Sequence, residues 1–237
     1  MELIQALRTT PASREFTERA ISDEELAEIL DDARFAPSGG NRQGWRVIVL
    51  KDQDLRRAVR DLYLPGWYEY LGQVSEAMTP FGVLNDRAVE ARARSRAAEF
   101  EQLASDGPGG FAEHLDEVPA LLLVLADLAA LATVDRDLDR YTFAGGASIY
   151  PFVWNILLAA RERGLGGVIT TMAVLNEPAI KSILNIPDHV AIAALVALGE
   201  PSKVITKLRR ATVPEFSTVD TFDGAVFGES PIESQDR

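Results

Sequence analysis

Two stretches of this 237-residue chain, PALLLVLA at 119–126 and VAIAALVAL at 190–198, are apolar at every position. A strand with one wet face alternates apolar and polar residues; a run with no polar residue reads as a strand buried in a sheet. Both runs are too short to span a bilayer. Trp45 opens a shorter apolar, β-branched run, WRVIVL at 45–50, and residues 168–171 supply a fourth strand.

The segments between are helical in pattern. Ser22-Asp-Glu-Glu25 has the form of a capping box, and Leu26, Ile29, Leu30 and Ala33 follow at i, i+3, i+4 and i+7, with a stop at Pro37-Ser-Gly-Gly40. A charged helix is expected at 55–62. A longer one is marked by Ile149, Phe152, Val153, Ile156, Leu157 and Ala160 and closed by Gly164, and a proline-initiated one covers 178–184. Residues 63–118 break this rhythm. They carry an aromatic cluster (Tyr63, Trp67, Tyr68, Tyr70, Phe81), a mixed Arg/Glu helix near 86–102 and the breaker Asp106-Gly-Pro-Gly-Gly110, which together read as an excursion from one core. After Gly199 the chain runs irregularly through Lys207-Leu-Arg-Arg210 and is expected to leave its own body as a C-terminal extension over 200–237. The chain is therefore read as a single domain, 1–237.

Composition narrows the chemistry. With 24 Lys plus Arg against 36 Asp plus Glu the net charge is −12, which repels phosphate backbones and anionic lipid, so neither nucleic acid nor membrane is an expected partner. There is no cysteine, and hence no disulfide, thiolate nucleophile or Cys-ligated metal. The N-terminus lacks a basic stretch followed by an apolar one, and a cytoplasmic location is expected. His114 and His189 are isolated, which argues against a zinc site or a Ser-His-Asp triad, and no GxGxxG follows an expected strand.

What remains suits a flat, anionic ligand. Ala36-Pro-Ser-Gly-Gly-Asn-Arg-Gln-Gly-Trp45 joins a helix to a strand. Its glycines admit a ligand close to backbone amides, while Ser38, Asn41 and Gln43 offer donors and acceptors to a heterocycle with alternating N and O groups. Arg8 and Arg14 near the start, with Lys207, Arg209 and Arg210 near the end, are cations able to clamp a phosphate in an otherwise acidic protein.

These segments together resemble the FMN-dependent nitroreductase family. The resemblance runs through Arg14-Glu-Phe16, Ala33-Arg-Phe-Ala-Pro-Ser-Gly-Gly-Asn-Arg-Gln-Gly-Trp45, Ser148-Ile-Tyr-Pro151, Asn155-Ile-Leu-Leu-Ala-Ala160, Gly164-Leu-Gly166, Gly199-Glu-Pro201 and Lys207-x-Arg209. It implies an α+β, three-layer α/β/α fold with a central, mostly antiparallel sheet. It also implies a homodimer whose C-terminal extensions embrace the partner, and an FMN at each interface. By position, Ser13 and Arg14 match the flavin-side N-terminal segment, with Arg14 at the pyrimidine edge. Ser38, Gly39, Gly40, Asn41 and Gln43 match the loop that touches ring and ribityl groups, Lys207 and Arg209 the phosphate clamp, and Thr170 and Thr171 the backbone facing flavin N5 and O4. Two departures stand out. The usual Arg-Arg-Ser reads Thr10-Pro-Ala12, leaving Arg8 as the cation able to replace a lost phosphate ligand, and the usual Gln-Pro-Trp reads Gln43-Gly-Trp45.

The implied activity is NADH- or NADPH-driven reduction of a nitroaromatic, quinone or similar acceptor by ping-pong hydride transfer. The protein then needs no catalytic acid, base or nucleophile of its own, because the cofactor carries the chemistry. Residues 63–118 would form a lid-like roof, with Trp67, Tyr68, Tyr70 and Phe81 stacking on substrate or packing the roof's own core. Two other readings fit the same resemblance: a non-catalytic FMN-binding or storage protein, and a specialised relative that cleaves a substrate or the flavin.

Overall fold

In the computed structural model, which describes residues 1–228, the elements in chain order are α1 (Leu3–Thr9), α2 (Asp23–Ala33), β1 (Trp45–Leu50), α3 (Gln53–Ser75), α4 (Arg87–Ser95), α5 (Ala97–Asp106), β2 (Ala120–Asp127), α6 (Tyr150–Glu162), β3 (Gly166–Thr170), α7 (Glu177–Ile183) and β4 (Val190–Gly199). The four strands form one sheet in the order β1-β2-β4-β3, every neighbouring pair antiparallel. The two wholly apolar runs are its central strands, and helices cover both faces.

Side-chain alternation assigns the two cores. Ala120, Leu122, Val124 and Ala126 of β2 pack with Leu26 and Ile29 of α2 and Phe152, Val153 and Ile156 of α6. Leu121, Leu123 and Leu125 face the other way, onto Val59 and Tyr63 of α3 and Ile180 of α7. The register between β2 and β4 shifts at Val124/Leu125, so that Ala193 and Ala194 both face the α2/α6 core while Ile192 faces α3/α7. Trp45 stacks on Phe152 with ring centroids 4.8 Å apart, fixing the start of β1 to α6.

Three local expectations are corrected. The helix expected at 55–62 runs from 53 to 75, straight through Pro65. Asp52 caps it by accepting from the amides of Asp54 and Leu55, and Val59, Tyr63 and Gly66 form one buried face. The mixed helix near 86–102 is two helices broken at Arg96, whose guanidinium holds Ser75, Glu76 and Glu99. The capping box forms only by half: Ser22 accepts from the Glu25 amide, while the Glu25 carboxylate turns to Arg19 at 2.9 Å. The described tail beyond Gly199 is irregular apart from a bridge between Pro201 and Phe16, a short turn at Val213–Glu215 and a bridge between Thr218 and Val226. It exposes Val204, Phe216, Phe222 and Phe227. The expected extension over 229–237 lies outside the described residues. No described helix is long and apolar enough to cross a membrane.

Candidate functional site

The expected site residues fall into two groups. The first lies along β3. Ala12 bridges Gly167 in parallel, the Ser13 amide donates to the Gly167 carbonyl at 2.8 Å, and Phe16 bridges Pro201, so residues 12–16 pass from the start of β3 to the residues that follow β4. Glycine permits this approach: a Cβ on Gly199 would lie 2.6 Å from the Phe16 ring. Ser13 and Arg14, with Lys203 and Ile205, line a cavity of about 330 Å³. Arg14 also borders a second cleft of about 520 Å³ with Arg56, Phe111 and His114. Arg14 is exposed and makes no ion pair among the described residues, neither with Glu15 nor with Glu18. Thr170 ends β3 and Thr171 follows, exposed. Lys207 and Arg209 are exposed on the tail, and the Arg210 guanidinium turns back onto the Arg209 carbonyl at 2.8 Å.

The second group is the loop feeding β1. Gly39–Asn41 make a tight turn. The Ser38 hydroxyl accepts from the Gln43 amide at 3.0 Å, and the Gly39 amide donates to the Ser148 hydroxyl at 3.0 Å. Gly40, Asn41 and Gln43 have φ of 60°, 50° and 50°. A left-handed backbone is easy for glycine and tolerable for asparagine, but unusual for glutamine, and such conformations persist only where surroundings hold them. Here the Gly44 carbonyl accepts from the Asp127 amide at 2.7 Å, clamping the loop to β2. Gln43 Nε2 donates to Asn41 Oδ1 at 3.1 Å, which leaves the Asn41 side-chain amide donors and the Gln43 side-chain carbonyl oxygen without a partner among the described residues, on two exposed residues.

A single chain does not bring these groups together. The loop precedes β1 at one edge of the sheet, whereas residues 12–14 lie beyond β3 at the other. Four strand spacings separate them, roughly 19 Å at about 4.8 Å each. Helix α6 gives a second measure. Ser148, which holds Gly39, sits just before its start, and Arg161, which holds the Thr9 hydroxyl at 3.4 Å, lies in its last turn. Thirteen helical residues rise about 20 Å.

The aromatic candidates also divide. Trp67 and Tyr70 share a face of α3 and stack with centroids 5.1 Å apart. Tyr68, rotated about 100° from Trp67, is buried toward α5, and that burial, with the Glu113 carboxylate, pushes its phenol up to about 12. Phe81 sits at φ 53°, its amide donating to the buried Gln73 side chain at 2.7 Å.

Arg8 is exposed on α1 and makes no ion pair among the described residues. The cation that reaches this segment from inside is Arg161, buried, with Nε lacking any hydrogen-bond partner. Sequence reasoning did not single out Ser148, Lys203 or Arg161. Ser148 alone carried a signal, since it opens one of the motif segments. The sequence marks Tyr63 only as one of an aromatic cluster; the structure sets its hydroxyl 3.0 Å from that of Thr170.

Residues 7–200 match the model of the nitroreductase family. Among curated proteins, an NADH dehydrogenase of Thermus thermophilus is 29% identical over 178 residues, 75% of this chain and 76% of its own. The nitrobenzene nitroreductase of Ectopseudomonas oleovorans is 25% identical, covering 81% and 84%. Among solved structures, iodotyrosine deiodinase bound to FMN and 3-iodo-L-tyrosine superposes with a TM-score of 0.62 at 22% identity, covering 93% of this chain and all of that one.

Proposed function

Because the chain belongs to the nitroreductase family, we propose that it is an FMN-dependent oxidoreductase working as a homodimer with a flavin site at each subunit interface. It takes electrons from NADH or NADPH and passes them to a nitroaromatic, quinone or related planar acceptor in alternating half-reactions. The observation that carries this reading is the division of the donor set between opposite sheet edges. Two copies related by a twofold axis and lying across one another in opposite directions would bring the loop of each against Ser13 and Arg14 of the other, completing two sites. The apolar tail, with Phe216, Phe222 and Phe227 exposed on a single protomer, supports a partner over which it lies.

The residues present suit FMN. Arg14, free of any carboxylate partner among the described residues, would stand at the pyrimidine edge, where it stabilises negative charge. The exposed amide groups of Asn41 and Gln43 match a ring edge that alternates donors and acceptors. Ser13, Lys207 and Arg209 would hold the phosphate, and the backbone at Thr170 and Thr171 the N5 and O4 edge. The stacked pair Trp67 and Tyr70 offers an aromatic wall to a flat substrate. When bound, FMN supplies the exchange of an electron pair between nicotinamide and acceptor; the chain supplies position, charge and exclusion of water.

Anaerobic addition of NADH or NADPH to the FMN-loaded protein tests this. Bleaching of the flavin absorbance within seconds, with recovery on adding a nitroaromatic, is expected. Bleaching by dithionite but by neither nicotinamide would overturn the reductase reading in favour of flavin storage.

A further inference from the structure

Three separate contacts tie α3 to residues 170–176. The Tyr63 hydroxyl, on a side chain only 1% exposed, lies 3.0 Å from Thr170 Oγ1. One turn on, Gly66 has no side chain where α3 passes residues 172–175: a Cβ there would meet the Met172 carbonyl at 3.4 Å and Leu175 Cδ1 at 2.6 Å. The third contact lies in the turn that holds Pro65. A proline inside a helix lacks the N–H that its i−4 carbonyl needs and pushes the preceding turn open. Next to that gap the Leu62 carbonyl accepts from Asn176 Nδ2 at 2.6 Å. The start of the 63–118 excursion is thus fastened to the end of β3.

We propose that Tyr63 is a positioning residue for the segment that faces flavin N5, its hydroxyl locking Thr170 so that the orientation of the 170–171 backbone depends on the placement of the excursion. The inference rests on the FMN reading above. Thr170 points from β3 into the α3 layer, on the same side as buried Val168. Either hydroxyl can donate, so the contact persists whichever way the bond runs. Burial raises the Tyr63 phenol above its ordinary value, and the Thr170 hydroxyl and the Arg14 charge pull it only partly back, so it stays protonated across the physiological range. Flavin N5 accepts a hydrogen bond when oxidised and donates one when reduced. A backbone donor held against it therefore discriminates between the two states, and freeing that donor changes the discrimination.

The test uses the full chain loaded with FMN, with Tyr63→Phe, Thr170→Val, the double variant and Thr170→Ser. The readouts are FMN dissociation, the thermal melt and the midpoint potential. Tyr63→Phe and Thr170→Val are each expected to keep FMN and to change the ratio of reduced to oxidised flavin affinity three- to tenfold, a potential shift of about 14 to 30 mV. The double variant should shift no further than either single one, and Thr170→Ser should keep the wild-type potential. Unchanged potentials in Tyr63→Phe and Thr170→Val, or shifts that add in the double variant, would overturn the role of Tyr63 while leaving the FMN reading intact. A wild-type chain that binds no FMN would instead overturn that reading and this inference with it. If Tyr63→Phe fails to fold, Thr170→Val against Thr170→Ser decides.

Discussion

Arg14→Gln separates chemistry from binding. Two-electron reduction places negative charge on the N1/O2 edge of a flavin, so a cation there stabilises the reduced form more than the oxidised one and raises the midpoint potential. Two unit charges 4 Å apart interact by about 1 kcal/mol in water and about 4 kcal/mol at an effective dielectric of about 20. Arg14 is exposed, which restricts the value to the lower part of that range, about 1 to 2 kcal/mol. For a two-electron couple this is a fall of about 20 to 45 mV on removing the charge. Glutamine keeps a donor and most of the length, so FMN should stay bound. The assay is an anaerobic reductive titration against a reference dye, run at low and high salt, with the difference from wild type shrinking as salt screens the charge. A surface Arg paired with Glu15 or Glu18 would have given no such shift, and the structure holds neither ion pair. A variant with full FMN content and a potential within about 5 mV of wild type would remove Arg14 from the site; the smallest expected shift is about four times that.

Arg209→Ala should cost far more FMN retention than Arg210→Ala: truncating a cation that becomes buried against phosphate costs about 2 to 5 kcal/mol, while a neighbouring surface cation is worth about 0 to 1 kcal/mol. Equal flavin content after gel filtration would remove the clamp. A pH effect comes from Asp135, held at about 2 by the amide of Phe143, then by Arg140 and the amide of Ala144. Its folded-state value is depressed, so its stabilisation is complete above the ordinary carboxylate range near pH 4 and is lost as pH falls through about 2. The melting temperature should drop across that window, and Asp135→Asn should flatten that part of the profile; an unaltered profile would show that the carboxylate anchors nothing.

The strands were legible because a run such as LLLVLA leaves no choice of face, and β1 appears at 45–50 as expected. The shift opposite Val124/Leu125 was not, since consecutive alanines at 193 and 194 carry no pattern that would mark an extra residue. Pro65 reads locally as a breaker, yet α3 continues through it, held against a segment whose Asn176 side chain donates to the Leu62 carbonyl 114 positions away. The site shows the same division. The loop at 38–43 announced itself by its glycines and amides, but its clamp, Ser148, lies 109 positions from Gly39. The pairing of Tyr63 with Thr170 spans 107. Residue types reveal what a site can bind. Which residues share one site depends on strand order, and no local pattern holds that.

The central claim, one flavin site built from opposite sheet edges of two copies, is tested most directly by complementation. Arg14→Glu reverses the charge at one edge. Gly40→Val forces a β-branched residue into φ 60° at the other. Each variant alone should lose nicotinamide-driven flavin reduction. Co-expressed with different tags and isolated as the mixed dimer, the two should regain it, because one of the two flavin sites then carries both changes and the other neither. About half of the flavin sites in that mixed dimer should bleach with NADH or NADPH at the wild-type rate. A mixed dimer as inactive as its parents would contradict the account, since it would place both residue groups in the service of a site within a single chain.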